Sequence, residues 1–158
     1  RPFILGYRIS VEEYEENGLR IADSLQLIDR LIASNIDYLH VSLSDILSST
    51  PRGVSDQRLT ILTVLDQVQE RVPVISAGSV RTPEQASLAL NLGLPLVAIG
   101  KGLIINPEWV ELAQAGQVGN IASELNPEWV TALDIPNQLW EQIDSNRNWF
   151  PVCQTQAA

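Results

Sequence analysis

Arg8 lies in an apolar run, Phe3 to Ile9 (FILGYRI), where a guanidinium is expensive to bury without a partner. Two readings are open. It makes a salt bridge at the strand end with Glu12, Glu13, Glu15 or Glu16, or it points into a ligand site, where it can bond a ring carbonyl or stabilise a ring anion. Two glycine turns come next: Ala77-Gly78-Ser79 follows the run VPVIS, and Gly100-Lys101-Gly102 follows the run LVAI. Glycines there let a phosphate approach the backbone, and the N–H groups of the turn and of the next helix supply donors. The alternative is that both glycines only permit tight strand-to-helix turns. Lys101 is the chain's single lysine and places a cation in the second turn. His40, inside the run YLHVS, reads as a neutral histidine satisfied by backbone rather than as a catalytic acid. The serine-rich stretch from Ser42 to Ser55 reads as a mobile loop over the mouth of a site, and its serines have no base beside them that would make one a nucleophile.

These residues need elements to hold them. The runs Phe3 to Ile9, Tyr38 to Ser42, Val72 to Ser76 and Leu96 to Ile99 are too short for helices and lack in-out alternation, as expected of parallel strands covered on both faces. Helical periodicity fills the gaps at Ile21 to Ser34, Leu59 to Arg71 and Pro83 to Leu92. The last opens with Thr82-Pro83-Glu84-Gln85, a capping-box pattern with proline in the first helical position. The order β-α-β-α-β-α-β predicts an α/β fold with a parallel sheet: the C-terminal half of a (β/α)8 barrel, four βα units, followed by helices. In such sheets ligands bind at the carboxyl ends of the strands, where Arg8 and both glycine turns fall. Residues 1–115 form the expected half barrel with its phosphate site, and 116–158 a helical extension and tail. The sequence NPEWV occurs at 106–110 and again at 126–130, each time reading as an asparagine N-cap and a helix start.

Composition narrows the function. With 158 residues, 45% of them hydrophobic, the chain can bury a core. A formal charge of −9 and no basic stripe argue against nucleic acid, and no run approaches the roughly 18 apolar residues of a membrane span. One cysteine, Cys153, cannot form an internal disulfide, which points to a reducing cytoplasm. The chain contains no methionine and opens almost directly on a strand, as a segment of a longer protein would.

The stretches YRIS with EEYEENGL, IDYLHVS, VPVISAGSVRTPEQA and LVAIGKGLIINPEW resemble, in order and spacing, the C-terminal half of the old yellow enzyme family of NADH:flavin oxidoreductases. The resemblance covers Phe3 to Trp109, and LDIPNQLW more loosely. It implies a parent enzyme that binds FMN, takes hydride from NADH or NADPH, and passes it to an activated alkene or another acceptor. It places Arg8 at the flavin's pyrimidine edge, and Ala77, Gly78, Ser79, Gly100 and Lys101 around the FMN phosphate. Lys101 stands where the family has arginine, which keeps the charge but loses the forked geometry. The family's substrate-binding histidine pair and proton-donating tyrosine belong to earlier strands, so no catalytic residue is assigned here and the chain alone is expected to be inert. It is expected to need the other half barrel or to self-associate, because half a barrel leaves strand edges unpaired. Arg147, in SNRNWF, is a weak counterpart of an arginine that some members send into a neighbouring subunit. The alternatives are another phosphate-binding barrel, such as a dihydroorotate-dehydrogenase-like flavoprotein or a lyase, and a non-catalytic half barrel.

Overall fold

A computed structural model describes residues 3–55, 57–146 and 149–153. Four strands, β1 (Gly6–Ser10), β2 (Tyr38–Ser42), β3 (Val74–Ala77) and β4 (Leu96–Ala98), form one sheet in sequential order, every pair parallel. The helices α1 (Ile21–Ala33), α2 (Thr60–Val68) and α3 (Pro83–Asn91) connect them, and α4 (Lys101–Ile105), α5 (Trp109–Gln114) and α6 (Asn137–Ser145) follow. This is the four-unit α/β half barrel that the sequence predicts.

β2 coincides with its apolar run, whereas β1 and β3 begin later than theirs, for local reasons. Pro73 has no N–H to give the ladder, so β3 begins at Val74, although the Pro73 carbonyl still accepts from Leu39 N at 3.0 Å. Phe3 and Ile4 are exposed and precede β1; Leu5 is tied to Asp37, whose carboxylate accepts from Leu5 N at 2.8 Å. α3 begins at Pro83, as its capping pattern predicts.

The register sorts side chains by face. Tyr7, Leu39 and Val74 form one row, and Ile9, Val41, Ser76 and Val97 the next; Leu39, Val74, Ile9, Val41 and Val97 pack into the core with the helices, while Tyr7 is 40% exposed. Leu39 and Val41 are fully buried there, with Ile28 of α1 and Ile61 and Val64 of α2 in the same cluster. The opposite, inner face carries the row Arg8, His40, Ile75, Leu96 and the row Ser10, Ser42, Ala77, Ala98. Below Arg8, Gly6 pairs with Tyr38, and a Cβ at Gly6 would stand 2.0 Å from the Tyr38 ring, so a larger residue there would have to displace that ring.

The chain divides into two compact units, the first Arg1–Val80 with Glu84–Ile99, the second Arg81–Pro83 with Gly100–Ala158. The division falls between Ile99 and Gly100, ahead of the 115/116 boundary drawn from the sequence. The second unit has its own small core of Ile105, Leu125, Ile135, Ile143 and Phe150. Within it the two NPEWV copies behave differently. Asn126 accepts from Glu128 N at 3.0 Å and caps a single 3-10 turn, Pro127–Trp129. Asn106, expected to be the same kind of cap, instead grips Ala122 at both backbone groups, accepting from its N–H at 2.8 Å and donating to its carbonyl at 2.8 Å. α5 therefore starts only at Trp109.

Candidate functional site

Parallel pairing of β1 with β2 brings Arg8 beside His40 and Ser10 beside Ser42 at the carboxyl ends of the strands. The Arg8 guanidinium is exposed and donates to Ser42 Oγ at 3.0 Å, and it makes no ion pair among the described residues. The four acidic residues that could have captured it are not salt-bridged to it. Glu12 accepts from Arg52 N at 3.0 Å, Glu13 accepts from Leu19 N at 2.9 Å, and the carbonyls of Glu15 and Glu16 accept from Arg20 at 2.9 and 2.8 Å. Arg20, an unremarked surface arginine in the sequence, organises this loop. It also bonds the carbonyls of Glu13, Gly18 and Leu19, so one guanidinium holds five backbone oxygens of this loop.

His40 differs from its expected role as a backbone-satisfied histidine. Its Nε2 is buried and has no hydrogen-bond partner. Burial first, and then the positive charge of Arg8, lower its pKa below 6.5, so the imidazole stays neutral beside the guanidinium.

Gly78 meets the loop after β2. A Cβ there would lie 2.9 Å from the Leu43 carbonyl oxygen and 3.0 Å from Ile46 N, so the missing side chain admits the neighbouring backbone. That loop is bound to the turn: Leu43 N donates to Ala77 O at 2.8 Å, Ile46 N to Gly78 O at 3.2 Å, and Ser79 Oγ to Ser44 O at 2.7 Å. Ser79 adopts a left-handed φ of 53°. Among the described residues, the backbone N–H groups of Gly78 and Ser79 donate to no partner, which leaves two donors at the end of β3 suited to an anion. Gly78 thus combines the tight-turn role with free donors; its absent Cβ is used by protein, not reserved for a ligand.

Gly100 and Lys101 belong to the second unit. Gly100 precedes α4 with open space where a Cβ would be. The Lys101 ammonium donates to the Trp149 carbonyl and lies 5.8 Å from the Trp149 ring, so its charge is already engaged. Arg147 lies outside the described residues. Among the described residues no group of histidine, cysteine, aspartate and glutamate could hold a metal ion, and no helix is long and apolar enough to cross a membrane.

The probable NADH-dependent flavin oxidoreductase YqiG of Bacillus subtilis is 32% identical over 149 residues, 94% of this chain and 40% of that protein. The NADH:acrylate oxidoreductase of Vibrio harveyi is 33% identical over 149 residues, and the NADH:fumarate oxidoreductase of Klebsiella pneumoniae 33% over 141. These matches take in 90% and 87% of the chain but 14% and 15% of those proteins, so the chain spans well under half the length of the relatives it matches. The sequence profile of the NADH:flavin oxidoreductase / NADH oxidase family matches residues 2–120, and the chain belongs to that family.

Proposed function

We propose that this chain supplies the flavin-holding half of an old yellow enzyme-like oxidoreductase of the cytoplasm, with FMN as its flavin. Arg8 carries the reading. A guanidinium oriented by Ser42, without a carboxylate partner among the described residues, is a cation free to meet a flavin's pyrimidine edge and offset negative charge on it. The unused N–H groups of Gly78 and Ser79, at the turn after Ala77, supply donors for the phosphate, and the family resemblance assigns Gly100 and Lys101 to the same group. Lys101 must exchange the Trp149 carbonyl for the phosphate, so its contribution is smaller than that of Arg8.

A bound FMN supplies the electron chemistry, moving a hydride from NADH or NADPH to an acceptor. For the acceptor we propose an activated alkene, the chemical class that includes the acrylate and fumarate named for two relatives. The inner face of the sheet also calls for a cover. Leu96 is 53% exposed in the row that contains Arg8 and His40, and the remaining strands of a barrel, or a second copy of the chain, would shield it.

Fluorescence titration of FMN tests the reading. Saturable binding is expected, weakened about tenfold or more by Arg8→Ala, as for a lost charge-assisted hydrogen bond, and less by Lys101→Ala. A folded wild-type chain that does not bind FMN, or an Arg8→Ala variant with wild-type affinity, would overturn it.

A further inference from the structure

The loops that follow β1 and β2 enclose a cavity of about 380 Å3, near the small end of ligand cavities, which run from roughly 300 to 1,000 Å3. Its lining includes Glu12, Glu13, Tyr14, Ser49, Arg52 and Thr60, all in the first unit.

Three features define what it can take. Thr60 is 1% exposed and its Oγ1 has no hydrogen-bond partner, so the fold keeps a polar group there at a cost in stability. Glu12 and Glu13 are held in place by the backbone N–H groups of Arg52 and Leu19, yet a carboxylate has about four acceptor sites and these bonds leave capacity unused. The Arg52 guanidinium stacks 4.1 Å from the centre of the Tyr14 ring, and Tyr14 is fixed by a 2.8 Å bond between its hydroxyl and Ser44 Oγ. Two carboxylates against one guanidinium disfavour a phosphate or carboxylate in the cavity. Fixed acceptors and hydroxyls favour a neutral ligand rich in O–H donors. An acidic residue accepting from ribose hydroxyls is how nucleotide-binding folds commonly hold a pentose.

We propose that this cavity binds the vicinal diol of a pentose, supplied by a ribose of the nicotinamide donor. The choice of donor ribose as the source rests on the flavin reading above. Glu12 is the principal acceptor and Thr60 Oγ1 the second partner.

Calorimetric titration of the whole chain with ADP-ribose and with free ribose tests this, using wild type, Glu12→Gln and Thr60→Val. ADP-ribose is expected to saturate, and each substitution to weaken it by about tenfold. Thr60→Val removes an unpartnered hydroxyl at nearly constant shape, so its urea midpoint should hold or rise while binding falls; a purely structural threonine would not separate the two. Free ribose binding as tightly as ADP-ribose would overturn the nucleotide source. No saturation by ADP-ribose, or equal affinity in all three proteins, would overturn the site. A parallel FMN titration keeps the two readings apart: an FMN failure with ADP-ribose binding retained would count against the flavin reading, and the diol site would stand.

Discussion

The two faces of the sheet are made by alternate residues of the same four strands, and they differ in kind. The helix-facing rows end in Leu39 and Val41, fully buried, and even their one polar member in β3, Ser76, is fully buried and satisfied by the Val41 carbonyl at 3.3 Å. The inner rows hold an arginine, a histidine with an unpartnered nitrogen, serines and a half-exposed leucine. The packed core is on one face, and the polar and ionisable side chains of the strands are on the other. A parallel sheet is ordinarily covered on both sides, and here Leu96 leaves the inner face half open.

Leu39→Ala against Leu96→Ala tests that asymmetry most strongly. Leu39 is enclosed on all sides, and its truncation should cost about 2–5 kcal/mol. Leu96, exposed, should cost within about 0.5 kcal/mol, as ordinary surface positions do. Urea unfolding of both variants measures the difference. Equal costs would break the comparison, because they would mean that the inner face is covered in solution, and light scattering would then report a second copy.

The next effect in size contrasts the two glycine turns. Gly78→Ala drives a Cβ against backbone atoms of Leu43 and Ile46, which cannot rotate aside, and should destabilise by about 1–3 kcal/mol. Gly100→Ala meets open space and should leave the unfolding midpoint unchanged, while weakening FMN if that turn holds phosphate. A loss of stability at Gly100 equal to that at Gly78 would assign both glycines to the fold.

Much of this was legible in the sequence, for physical reasons. Short apolar runs separated by helical periodicity gave the strand order, and the proline after Thr82 gave the start of α3. Arg8 was conspicuous because a guanidinium in an apolar strand needs an explanation. Two things were not legible. Local pattern alone made both NPEWV copies look like caps, but Asn106 is recruited by Ala122, sixteen residues away, which no spacing rule anticipates. The role of Arg20 was hidden because its five partners are backbone carbonyls, which every residue has. The signal that could have found it was the crowd of glutamates between β1 and α1, a loop that needs a cation to fold back on itself.

The smallest predicted effect reads the inner face through pH. His40 is the chain's only histidine, so stability changes between pH 7 and about 5 report on it largely alone. Its folded pKa lies below the ordinary 6.5 through burial and the charge of Arg8. Between 6.5 and that lower folded value the unfolded chain binds more protons than the folded one, so stability must fall as pH drops through this window and must be insensitive to His40 above it. Asp29 shifts in the same direction, held down chiefly by its hydrogen bond to Arg71, but it acts only below its ordinary 3.8 and does not overlap. The urea midpoint should therefore decline from pH 7 to 5.5 in wild type and stay flat in His40→Gln. A wild-type midpoint that does not move would show that the folded imidazole keeps its ordinary pKa, so that neither burial nor the Arg8 charge acts on it as the geometry implies.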